Sequence, residues 1–176
     1  MPHRLNYEDS CLELQERELI DAGEIPPLPK HPPRYDDEEQ PGVSFFHTQL
    51  ADLELDLLTL PRTFFNRSEI RSVSFRDTDL SESTANWNDF KKVDFSKADL
   101  SRCDLRGCEF ERVKFISASL RGADIRHSTF HDCDFTAADV HGLKLTKAAA
   151  ASLKFSKEQL DVIAWQLDEG EEPEGG

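Results

Sequence analysis

No stretch of about 18 apolar residues occurs in this 176-residue chain, so nothing in it reads as a membrane-spanning helix. Met1-Pro2-His3-Arg4 leads straight into acidic sequence with no apolar signal segment, which predicts a cytoplasmic protein. Cysteine is scarce, four residues in all, and Cys11 stands far from the other three. There is no glycine-rich phosphate loop and no Ser-His-Asp set, so the chain offers no catalytic residues and no cofactor or metal site. An enzyme is therefore not expected. Basic residues are also in deficit, 21 Lys and Arg against 35 Asp and Glu, for a net charge of −14. Direct nucleic-acid binding is not expected from such a balance.

What the chain has instead is a period of five. From Phe45 to Phe155 every fifth residue is large and apolar with few exceptions, and 20 of these 23 positions are Leu, Phe or Ile. Five matches neither the 3.6 of a helix nor the 2 of a flat strand, and so means a repeat architecture. From Ser68 to Ala138 the residue two before each centre is small or β-branched, as at Ser68, Val73, Thr78, Ala98 and Ala123, with Asn88 the exception in that stretch. Cys103, Cys108 and Cys133 fall in this inward set, where a free thiol serves as a small hydrophobe in a reducing compartment. A second order of 20 lies above the first. Phe75, Phe95, Phe115, Phe135 and Phe155 form one column and Leu60, Leu80, Leu100 and Leu120 another, as four repeats per turn require.

Lys97-Ala98-Asp99-Leu100-Ser101 and Gly122-Ala123-Asp124-Ile125-Arg126 carry the resemblance that follows from this pattern. The chain resembles the bacterial pentapeptide-repeat proteins, whose unit is Ala-Asp/Asn-Leu-x-x. The resemblance implies an all-β, right-handed quadrilateral β-helix over residues 43–155, nearly six coils and on the order of 27 Å long at ~4.8 Å per coil.

The flanks differ from the repeats. Residues 1–42 carry 4 basic and 11 acidic side chains, and 166–176 carry five acids and no base, so the repeat region between is nearly neutral. Ser10 with Glu13 has capping-box spacing, and Leu12, Leu19, Ile20 and Gly23 fit one short helix within 7–23. Six of nine prolines follow between Pro26 and Pro41, which reads as an extended linker over 24–41 lacking regular structure. This extension either caps the first coil or binds a partner. Ser156 with Gln159 again gives capping-box spacing. Leu160, Ile163, Ala164 and Leu167 then share one helical face, predicting a capping helix over 156–167 and a disordered acidic tail over 168–176. The resemblance allows a dimer at this end, so the chain reads as a monomer or a C-terminal dimer.

One stretch breaks the repeat. Ala85 stands where a large residue belongs, and Trp87 follows it on the outside. By stacking, Trp87 shares a column with Arg67, Gly107, His127 and Lys147, and an exposed aromatic beside an Arg, with a Gly leaving room, has the composition of a binding hot spot. The candidate contact surface is Arg67, Asn86, Trp87, Asp89 and His127, with Arg67 placed for a cation–π contact. The alternative is that the indole folds back over the hole at Ala85. His127 and His131 have metal-pair spacing, but in a five-residue repeat they leave from different sides. The functional expectation is a non-catalytic protein-binding module, an inhibitor or immunity-type protein whose partner has a basic surface. The resemblance also implies an alternative, a DNA mimic of the quinolone-resistance type binding gyrase through the acidic column Asp79, Asp99 and Asp139; a structural spacer is the third reading.

Overall fold

Residues 3–37, 41–168 and 170–172 are described by the computed structural model. In chain order they form α1 (Tyr7–Glu16), β1 (Ser44–Phe46), β2 (Gln49–Glu54), β3 (Phe64–Asn66), β4 (Glu69–Ser74), β5 (Asp89–Lys91), β6 (Glu109–Glu111), β7 (Thr129–His131) and β8 (Lys144–Thr146). These are followed by α2 (Lys147–Ala150), α3 (Lys157–Val162) and β9 (Ala164–Gln166). Every strand pair is parallel with a step of 20: Leu50 opposes Ile70, then Phe90, Phe110 and Phe130. Isolated bridges carry the same step through Thr59, Asp79, Asp99, Ser119 and Asp139. The result is a four-sided β-solenoid of about six turns, as the period of 20 predicts.

Each side turns into the next through a left-handed residue, such as Leu57 (φ 61°), Arg67 (52°), Trp87 (58°) and Lys97 (59°). Carboxylates before the centres brace these corners. Asp79, Asp94 and Asp99 each accept the backbone N–H two residues on at 2.9 Å.

Inside, the rings of Phe75, Phe95, Phe115 and Phe135 stack at 5.4, 5.5 and 4.6 Å, and Phe155 continues the column at 5.2 Å. A second column, Phe90, Phe110 and Phe130, stacks at 5.1 Å and meets the first edge to face. The small inward residues do more than fit. Ser68, Thr78, Cys103, Cys108 and Ser128 each donate to the carbonyl 23 residues earlier. Asn88 follows the same rule, its Nδ2 donating to Phe65 O (2.9 Å) while its Oδ1 accepts from Ser68 N–H (2.8 Å).

The N-terminal helix is shorter than expected. Asn6, not Ser10, is the cap, accepting from Asp9 N–H, and the chain leaves the helix after Glu16 with Glu18 at φ 57°. Leu12 is exposed, whereas Cys11 and Leu14 are fully buried against the first coil. The coil's open edge is closed by polar contacts: Leu5 N–H donates to Leu57 O (2.8 Å), Thr59 N–H to Ser10 Oγ (2.8 Å), and Arg17 to Glu54 O.

The proline-rich arm has no helix or strand, but it is not a free linker. Pro29 and Pro33 are buried, Arg62 donates to Pro29 O (2.6 Å), and Thr84 to Pro33 O. Phe64 explains the docking: it points outward from β3, yet it is only 4% exposed. The expectation for 24–41 is therefore corrected in its packing, while residues 38–40 lie outside the described residues.

At the other end the expected helix over 156–167 is only α3. Its capping box forms, and the Gln159 Nε2 also donates to Phe135 O (2.8 Å) and Ala138 O (3.0 Å), sealing the last coil. Ile163 is extended (ψ 136°), and β9 then pairs with β8, Trp165 opposite Leu145. Leu160 and Leu167 stay exposed. The backbone hydrogen bonds left open by β8 favour a further strand over the helical face read from the apolar spacing. The side that would follow β8 is replaced by α2, although Phe155 still joins the Phe column. Of the tail expected to be disordered from 168, residues 169 and 173–176 lie outside the described residues, and Glu171 N–H donates to Asp168 O (3.1 Å).

Candidate functional site

Trp87 occupies a left-handed corner between two sides of the third coil, which throws its side chain outward. It is 62% exposed, the highest value among the large exposed hydrophobic residues described. The indole lies along the next coil over Gly107: a Cβ there would stand 2.7 Å from the ring. The hole at Ala85 is a separate feature, a small apolar cavity of about 10 Å³ lined by Phe65, Phe75, Leu80, Phe90, Phe95 and Leu105 among others. Trp87 is not in its wall, so the indole does not plug it.

A polar ladder beneath ties this corner to the neighbouring coils. Thr48 N–H donates to Ser68 Oγ (3.1 Å), Ser68 N–H to Asn88 Oδ1, and Cys108 N–H to Ser128 Oγ (3.0 Å). Burial pushes the Cys108 thiol up to about 12, and the Cys103 thiol is also raised by burial, so neither is a nucleophile at neutral pH.

The other candidates sit around Trp87 as the 20-residue stacking predicts. Asn86 is half-buried, its N–H donating to Asn66 Oδ1 (3.1 Å) and its Nδ2 to Asp104 Oδ2 (3.2 Å). Asn66 Nδ2 and Asn86 Oδ1 are buried with no hydrogen-bond partner among the described residues. Asp89 is exposed on β5, and His127 is exposed at a corner two coils along. Arg67 departs from expectation, since its guanidinium carbon stands 5.8 Å over the ring of Tyr35 from the arm. Its cation–π contact is therefore with the extension. Tyr35 and the exposed, outward Phe46 share a shallow cleft with Ser44 and Phe64, and the sequence reading missed both. The doubled aromatics Phe45-Phe46 and Phe64-Phe65 were the available signal, since only one of each pair can face the core.

The acidic column is chemically committed. Asp79 and Asp99 hold the Ser81 and Ser101 amides, and Asp139 pairs with Arg121 (3.0 Å) and His141 (2.9 Å). Among the described residues no group of three or more His, Cys, Asp or Glu is placed to hold a metal ion, and no helix is long and apolar enough to cross a membrane.

A family model described as pentapeptide repeats matches the chain over residues 94–132 and 115–148, in eight copies overall. A search of curated proteins gave no match. Among solved structures the chain is similar to a pentapeptide-repeat protein of the Arabidopsis thaliana thylakoid lumen, at 19% identity and a TM-score of 0.46, covering 64% of this chain and 72% of that one. It is also similar to the pentapeptide-repeat protein Rfr23 of the cyanobacterium Cyanothece 51142, at 14% identity and a TM-score of 0.38, covering 55% and 87%. Full-length QnrB1, a plasmid-mediated fluoroquinolone resistance protein, matches at 15% identity and a TM-score of 0.22, covering 72% and 94%.

Proposed function

Because the chain is a pentapeptide-repeat protein, with matched repeats across residues 94–148, we propose that it is a non-catalytic protein-binding module. Its specific form is an inhibitor or immunity-type protein that sequesters a toxin or enzyme. The observation that carries this reading is Trp87, a large aromatic left exposed with its ring packed on Gly107, the composition of a binding hot spot. Arg67, Asn86, Asp89 and His127 complete the contact surface. A partner with a basic surface suits the acidic arm and tail. Four free cysteines support a cytoplasmic, reducing location. The protein acts as a monomer or as a dimer through its C-terminal end.

Affinity capture followed by two variants tests the reading. Trp87→Ala should abolish the recovered partner while leaving the melting temperature within a degree or two. Asp79→Asn/Asp99→Asn should leave binding intact. The reverse pattern, with gyrase as the partner, would select the DNA mimic instead. The carboxylates of that column are already engaged with corner amides, which disfavours it. No partner at all would leave the spacer reading.

A further inference from the structure

Three exposed aromatics gather along one corner of the solenoid: Phe46 on the first coil, Tyr35 held over Arg67 of the second, and Trp87 on the third. Beside them, on the outer row of the adjoining side, Glu69, Asp89 and Glu109 are direct parallel neighbours about 4.8 Å apart. Elsewhere Asp56, Glu82, Asp104, Glu111, Asp124 and Asp139 each meet an Arg or Lys. No cation among the described residues pairs with Glu69, Asp89 or Glu109; Glu69 meets only the Gln49 amide, at 3.3 Å.

We propose that this ridge and row together dock a basic amphipathic helix of the partner. Apolar side chains of that helix lie on Phe46, Tyr35 and Trp87, and its Lys or Arg side chains stand over Glu69, Asp89 and Glu109. The three carboxylates have no cation partner among the described residues, although Arg71 and Lys91 flank the row two positions on along the same side. The 5.4 Å helix pitch is close to the coil spacing, so residues one turn apart meet successive coils. Aromatic faces also accept the cations directly. The inference rests on the protein-binding reading and names the partner's chemistry.

The full chain, with Trp165→Phe so that Trp87 reports alone, is titrated with a synthetic Leu/Lys amphipathic peptide of about five helical turns. Binding should be saturable and weaken with salt, as charge pairing at an exposed row requires. Trp87→Ala, read by calorimetry, should weaken it about tenfold or more, and so should Glu69→Gln/Asp89→Asn/Glu109→Gln. Equal binding of a scrambled peptide of the same composition would overturn the inference, as would an unaffected triple variant of unchanged melting temperature. Self-association abolished by Trp87→Ala would seat a second copy there and overturn it too. A native partner lost with Trp87→Ala but bound normally by the triple variant would overturn this inference alone and leave the protein-binding reading standing.

Discussion

Gly107 shows how a single residue shapes the surface. Its φ of +70° is no explanation, since most corners carry a side chain at similar angles. The reason is Trp87, whose ring occupies the space a Cβ would take. Gly107→Ala should therefore displace the indole at a cost of about 1–2 kcal/mol. The measurement is Trp87 emission with Trp165→Phe in the background; an unchanged spectrum would contradict the packing. Ala85 presents the opposite case, a core position with unfilled space. Ile125 stands in the same column two coils on, so a branched side chain fits that backbone. Ala85→Val should stabilise by about 0.5–1 kcal/mol, raising the melting temperature by about 1–4 °C.

The element scale belongs to the stacked columns. Phe115 is 1% exposed and lies between Phe95 and Phe135, and coils on both sides limit collapse around a void. Phe115→Ala should cost roughly 3–5 kcal/mol in denaturant unfolding. Asn88 is the equivalent in the polar ladder. Asn88→Ala would orphan Phe65 O and Ser68 N–H inside the corner that carries Trp87, at a cost of about 1–3 kcal/mol for each group. Amide exchange of Ser68 should accelerate in that variant even where Trp87 stays in place. The arm is an element by docking rather than by hydrogen-bonded structure. What holds it is Phe64 beneath and Arg62, Thr84 and Arg67 along its path.

For the whole molecule, charge couples folding to pH. Burial acts to raise the Asp124 carboxyl, but Arg126 donates to it from side chain and backbone, and Arg106 lies near, so its pKa falls below the ordinary value. The Thr136 hydroxyl and amide lower Asp134, and Arg121 with His141 lower Asp139 against partial burial. Groups with lowered folded-state pKa stabilise the protein fully above the ordinary carboxylate value of about 4 and lose that stabilisation as pH falls through the lowered values. Unfolding free energy should be flat from neutral pH down to about 5 and drop below 4. Asp124→Asn should flatten the drop.

The sequence by itself determined the solenoid, its 20-residue register and its Phe column, because a strict period survives translation into stacked coils residue for residue. It also located the corner of Trp87 and Gly107, since stacking puts residues 20 apart side by side. The tertiary structure alone decided the rest. Phe64 and Phe46 stand at outward repeat positions, and only the arm lying across that side explains them, through contacts between segments 33 to 51 residues apart with no periodic signature. The strand at Ala164–Gln166 overrode a plausible helical face because the open edge of β8 offered hydrogen bonds that local spacing does not encode. The fate of each carboxylate was likewise invisible: Asp79 and Asp99 follow the same pattern as Asp89, and only the turn geometry separates those that hold corner amides from those left facing solvent.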